Sequence, residues 1–339
     1  MSRRRLDLAR TQILAYRRKV QALDKRLPAG PKSLRQAAWA GLQDSMPRAA
    51  LLSIHARVLG TEPSTWEDSS LVQVWGPRFS AYVVAARDVA IFTLGRWPDD
   101  ARGRRVADEM AASMRDVLGD RRIPDRDVSR ALGVGNRIRY AAPTGTVLIR
   151  WEGARAPTIW TVPAPEVDPM EARLELARRY LYVFGTATPE AFAEWAGIGP
   201  ARGRAAFDAL GASLSPVRTP VGEGWILTSD EPTFRAPAGP TAAARLLPSG
   251  DTYYLLQGAD RAILVPEADH RGALWTSRVW PGAVLVSGEV VGTWRRAGGN
   301  VAIQSWRRLS RVEREAVEAE AESMPLPDLG GRIHARWER

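Results

Sequence analysis

Arginines beside helix starts are the residues with the plainest chemistry in this chain. Arg48, Arg57, Arg78, Arg137, Arg139, Arg202 and Arg204 all fall in or next to segments patterned as helix-turn-helix units. A guanidinium is a rigid fork of donors that matches phosphate oxygens, so these side chains are expected to contact a nucleic-acid backbone. The bulk charge agrees: 48 Lys and Arg against 38 Asp and Glu give a net charge of +10. Such a field favours a polyanionic partner, here double-stranded DNA.

What is missing narrows the chemistry further. The chain has no cysteine, which removes thiol nucleophiles, disulfides and cysteine-held metals. Its three histidines, His55, His270 and His334, have no paired spacing, so no metal site is expected. None sits with a G-x-S-x-G elbow, and Gly133-Val134-Gly135 lacks the Gly-Lys-Ser/Thr of a phosphate loop. No cofactor is expected. No apolar run reaches the ~18 residues needed to span a bilayer, and the basic start Met1-Ser2-Arg3-Arg4-Arg5 lacks a signal peptide's apolar stretch. A cytoplasmic, nucleoid-associated monomer is the expectation, with no membrane partner. A hydrolase of small molecules finds no supporting motif.

The elements that must carry these arginines repeat. In residues 1–100, helical patterns over 7–24 and 33–41 precede a third helix opened by Pro47, where Leu51, Ile54 and Val58 recur at helical spacing. Two strands follow, Leu71 to Trp75 and Ala81 to Val84. In residues 101–167, three helical stretches lead to strands Val147–Trp151 and Thr158–Val162 around Gly153. In residues 168–236, Asp168-Pro169-x-Glu171 starts a helix with an apolar stripe, Thr188-Pro189 starts a second and Pro200 a third. Val217 to Leu227 supplies the wing. Residues 237–339 hold short strand patterns at Arg245–Pro248, Tyr253–Leu256, Ile263–Pro266, Ala283–Val286, Val290–Trp294 and Val301–Trp306, then an acidic helix over 312–322. Ser287-Gly288 reads as a hairpin turn. The expected fold is α+β: three tandem winged helix-turn-helix modules, then a small β-barrel-like domain.

Three stretches also resemble a known family. They are Gly41-Leu42-Gln43 with Pro47-Arg48-Ala49-Ala50-Leu51-Leu52, then Arg245-Leu246-Leu247-Pro248-Ser249-Gly250-Asp251, and Val286-Ser287-Gly288-Glu289-Val290-Val291-Gly292-Thr293-Trp294-Arg295-Arg296. Together they resemble the AlkZ/YcaQ family of bacterial winged-helix DNA glycosylases, and the likeness covers nearly the whole chain. It implies a metal-free, monofunctional enzyme that hydrolyses the N-glycosidic bond of alkylated purines and unhooks interstrand crosslinks. Arg295 and Arg296 join the expected DNA contacts. The family's Gln-x-Gln or Gln-x-Asp signature falls on Gln43 and Ser45, with Asp44 between them.

The resemblance implies that Gln43 positions water, with Asp44 or Ser45 assisting. Ser45 departs from both forms of the signature, and Tyr82 stands where family members often carry histidine. Read from residue types alone, Gln43-Asp44-Ser45 is equally a helix-entry turn, since Asp and Ser are ordinary caps. Two functions therefore stand open: a glycosylase, or a catalytically idle DNA-binding protein on the same scaffold.

Overall fold

Local signals set most elements in this computed structural model, which describes residues 5–44, 46, 48–153, 155–326 and 332–338. The chain opens with strand β1 (Leu6–Asp7), helices α1 (Arg10–Val20) and α2 (Pro31–Ala37), and the two-residue strand β2 (Leu42–Gln43). Helix α3 (Ala49–Arg57) and the hairpin β3 (Leu71–Trp75) and β4 (Ala81–Ala85) follow, then the short helix α4 (Val89–Thr93). The second unit comprises α5 (Ala101–Leu118), β5 (Ile123–Pro124), α6 (Asp125–Leu132), a 3-10 segment over Gly135–Thr144, and the wing β6 (Val147–Arg150) and β7 (Thr158–Thr161).

The third unit shows why its residues fold as they do. Helix α7 (Pro169–Phe184) begins where the Asp168 carboxylate accepts from the amides of Met170 and Glu171, satisfying donors the helix cannot use itself. Helix α8 (Pro189–Ala196) is capped in the same way by the Thr188 hydroxyl on the Ala191 amide. Helix α9 (Pro200–Leu210) and the wing β8 (Leu214–Thr219) and β9 (Gly222–Leu227) complete the winged helix. Tyr180, Phe184, Phe192, Trp195 and Phe207 pack its centre, with Tyr180 and Phe184 rings 4.5 Å apart.

The sheets run across the units. One six-stranded sheet, ordered β2-β4-β3-β6-β7-β5, joins the first wing to the second through the Gln73–Ile149 pairing. Strand β1 leaves its sequence neighbours and pairs in parallel with β8, so the amino-terminal strand completes the third unit's sheet.

After α10 (Glu231–Arg235) come β10 (Ala244–Leu247), α11 (Asp260–Leu264), α12 (Ala268–Leu274), β11 (Gly282–Val286), β12 (Glu289–Ala297), β13 (Asn300–Ser305), α13 (Arg311–Glu322) and β14 (His334–Trp337). The barrel expectation is overturned here. The five strands run in the open order β10-β11-β12-β13-β14, and β10 does not pair with β14. Two of the expected strands are absent: Tyr253–Leu256 is a turn and Ile263–Pro266 overlaps α11.

The physical reason is burial on both faces. Val317 and Ala321 of α13 pack with Leu246, Val284, Val286, Val301 and Ile303 in one cluster, while Leu247, Ala283 and Leu285 pack with Tyr253 to Leu256 in another. A sheet covered on both faces has no need to curl closed. The Ser287-Gly288 turn does join β11 to β12, with both residues at positive φ as a tight hairpin of this type requires.

Candidate active site and nucleic-acid interface

Gln43 lies at the end of β2, opposite Tyr82 of β4, and is half-buried. Its carboxamide packs against Gly250, in the loop that follows β10. A Cβ built on Gly250 would stand 3.2 Å from Gln43 Cδ, and Gly250 also has φ of +76°, a conformation only glycine adopts freely. Glycine at 250 therefore makes room for the Gln43 amide.

A buried ion pair holds that loop in place. Arg57 of α3 reaches both oxygens of Asp251 at 2.7 Å, and the same guanidinium bonds the Ser53 carbonyl, Gln21 and Thr252. The Ser53 hydroxyl donates to Asp251 at 2.7 Å, and Asp251 also accepts from the Tyr253 amide. Two stretches 194 residues apart are thus clamped together around Gln43. Arg57 is 1% exposed, so the expectation that it contacts phosphate is corrected: its charge is spent inside the protein.

Asp44 turns the opposite way. It is 2% exposed, with Oδ1 accepting from the Ala50 amide at 3.0 Å and Oδ2 from Gln73 Nε2 at 2.7 Å. It acts as a cap for the start of α3 rather than as a group open to water. Burial pushes its carboxyl up to about 6, against the pull of those donors and of Arg48.

The folded chain binds the Asp44 proton more tightly than an unfolded carboxylate of pKa 3.8, so this group's contribution to stability falls as pH rises from about 4 to about 6. Carboxyl carbon NMR should show Asp44 titrating near pH 6. A midpoint at or below 4 would refute this account of its environment.

Gln73 links two units. Its Oε1 accepts from the Trp151 amide at 2.6 Å and its Nε2 also faces the Trp151 carbonyl, so one carboxamide ties Asp44 to the second wing. Beside it, Arg48 and Arg150 both place guanidiniums over the Trp66 ring, 4.1 and 3.7 Å from its centroid. Arg48 holds φ at +65°, a backbone state uncommon outside glycine. Ser45 and Pro47 lie outside the described residues.

The other expected arginines are spread widely. Arg78 is exposed in the first wing's turn, where it and Phe79 both hold positive φ, and its Nη1 meets the Gln257 amide at 3.1 Å. Arg139 lies beside that turn, half-buried near the Trp75 ring, while Arg137 is exposed. Arg204 is exposed near Glu190, and Arg202 faces Asp99 and Asp100 at 3.6 and 3.7 Å. Arg295 and Arg296 are exposed at the far end of β12. Among the described residues, Arg48 is the expected arginine whose charge acts on Asp44.

Sequence reasoning missed Gln73, Trp66 and Arg150. Each lies on a different segment from the motif: the strands β3 and β6 bring Gln73 and Arg150 to it, and a 3-10 turn over Thr65–Glu67 brings Trp66. His55 is buried, bonded to Ser323 at 3.1 Å, and burial with the nearby Arg26 lowers it to about 4, so it packs as a neutral ring. Among the described residues no cluster of His, Asp and Glu could hold a metal ion, and no helix is long and apolar enough to cross a membrane.

Comparison with known proteins bears on the whole chain. The solved structure of the Streptomyces sahachiroi DNA glycosylase AlkZ matches it with a TM-score of 0.74 at 18% identity, covering 98% of this chain and 100% of that one. At that identity the likeness is one of fold. No curated protein matches. The family model described as DNA glycosylase AlkZ-like matches residues 37–325, which include Gln43, Asp44, Gln73 and the Gly250 loop, and the chain belongs to that family.

Proposed function

We propose that this protein binds duplex DNA as a monomer and hydrolyses the N-glycosidic bond of N7-alkylated purines, crosslinked ones included, with Gln43 holding the attacking water. The observation that carries the reading is the seating of Gln43. An edge strand, a glycine that makes room and a buried ion pair from a distant stretch combine to hold one carboxamide at a half-open position. An N7-alkylated purine is already cationic, so the electron pair of the breaking bond returns to the base without a general acid. What the protein must add is a placed water and a site that tolerates the oxocarbenium-like sugar. The exposed Arg78, Arg137, Arg204, Arg295 and Arg296 supply phosphate contacts. Asp44 serves as a positioning residue, orienting α3 and Gln73.

A second reading is duplex binding without turnover. It is favoured by Asp44, whose two oxygens are both taken by internal donors and leave the water without that carboxylate.

One assay separates the two. A duplex with a single N7-alkylguanine and a crosslinked duplex are incubated with the protein, and abasic sites are scored by alkaline cleavage. Base release is the expected result. Tight binding that weakens linearly in log salt, with no release from either substrate, would transfer the argument to the binding protein. Absence of duplex binding would sink both.

A further inference from the structure

The side of α2 and the side of α7 flank an open cavity of ≈ 660 Å³ that the glycosylase reading does not use. Its wall includes Lys32, Arg35, Trp39, Arg87, Arg178 and Tyr182, and neither Gln43 nor Asp44. The volume lies within the ~300–1,000 Å³ typical of small-molecule sites.

The charges in the wall are not balanced. Its carboxylates already have partners: Glu175 accepts from Arg179 at 2.9 Å, and Asp230 accepts from the Tyr16 hydroxyl at 2.6 Å. Among the described residues Lys32 and Arg35 make no ion pair within 4.0 Å, and Arg87 and Arg178 make only long ones, 3.8 Å to Asp88 and 3.6 Å to Glu175. Positive charge is left over, on side chains reaching in from two directions.

The aromatic side of the cavity is fixed. Arg179 is locked by two bonds to Asp88, at 2.7 and 3.1 Å, and its guanidinium lies over the Trp39 ring at 3.9 Å from the centroid. Its Nη1 also donates to the Trp39 carbonyl at 3.3 Å. Trp39 is therefore held as a platform, half-exposed, with Tyr182 half-exposed nearby. Arg179 takes up one face of the ring, so a flat base would pack against what Trp39 and Tyr182 leave exposed, and a phosphate suits the surrounding guanidiniums and ammonium.

We propose that this cavity binds a nucleotide unit, its base against Trp39 and Tyr182 and its phosphate held by Lys32, Arg35 and Arg87. The unit has two possible sources, a free nucleotide or one residue of a single strand, and the chemistry of recognition is the same. The proposal stands independently of the chemistry at Gln43.

The test is calorimetric titration of the full chain with dAMP, with the tetranucleotide of deoxyadenosine, and with inorganic phosphate and deoxyadenosine separately. dAMP is expected to bind, and each of its halves far more weakly. The double variant Lys32→Glu with Arg87→Glu, both exposed side chains, should weaken dAMP by about tenfold or more at low salt. Trp39→Leu should weaken it too; if that variant fails to fold, the charge-reversed one still decides. A tetranucleotide bound well over tenfold tighter than dAMP identifies a single strand as the source, and equal affinities identify the free nucleotide. The proposal is overturned if neither binds, if the charge-reversed variant binds as the wild type does, or if inorganic phosphate alone matches dAMP.

Discussion

Arg57→Met is expected to destabilise the protein by about 3–5 kcal/mol, because it leaves the Asp251 carboxylate buried without its counter-charge. Asp251 is fully enclosed, with a side-chain exposure of 0%, and water cannot replace the guanidinium. At roughly 2 °C per kcal/mol for a chain of this size, the thermal midpoint should drop by about 6–10 °C. The site should suffer as well, since the loop carrying Gly250 loses its clamp on α3. Combining Arg57→Met with Asp251→Leu should recover part of the loss, as apolar replacements of buried pairs often do. Recovery will be incomplete, because Ser53, Gln21 and Thr252 also lose partners. A single variant melting within about 2 °C of wild type would show that this pair does not hold the two stretches together.

Gln43→Ala should lower base release by about 10²-fold or more, the lower end of what a positioned group contributes, with duplex affinity unchanged. Gly250→Val should act on the same step from the other side. Its Cβ would press on the Gln43 carboxamide 3.2 Å away, and the left-handed backbone at φ +76° would cost roughly 1–2 kcal/mol with any side chain larger than hydrogen. The two effects should not add: once Gln43 is alanine, Gly250→Val has no carboxamide to displace, and it should cost stability alone. Single-turnover rates for the two variants and their combination give the result directly. Full additivity of the rate losses would mean that Gly250 acts by a route other than the Gln43 carboxamide, and an active Gln43→Ala would remove Gln43 from the chemistry.

Several features could be read from the sequence alone. The helix starts at Asp168 and Thr188, the apolar stripe of α7, the paired strands of each wing and the Ser287-Gly288 turn were all legible because their signals are local. A cap bonds an amide two or three residues away, and a hairpin turn needs only its own backbone angles. The winged-helix architecture was legible in the helix and strand patterns and again by resemblance, and the proposed role of Gln43 came from the resemblance.

The fate of individual charges was decided elsewhere. Arg57 and Arg78 look alike in sequence, yet one is buried on Asp251 and the other is exposed at a wing. Asp44 and Gln43 are neighbours, but β3 supplies Gln73 to one and the loop after β10 supplies Gly250 to the other. The run Tyr253–Leu256 has the composition of a strand, and its burial on every side makes it a core turn instead. Whether β10 meets β14 depends on what covers the two faces of the sheet. Local bonds answer to neighbouring residues; burial, ion pairing and sheet closure answer to partners far away along the chain, and only the tertiary structure brings those partners in.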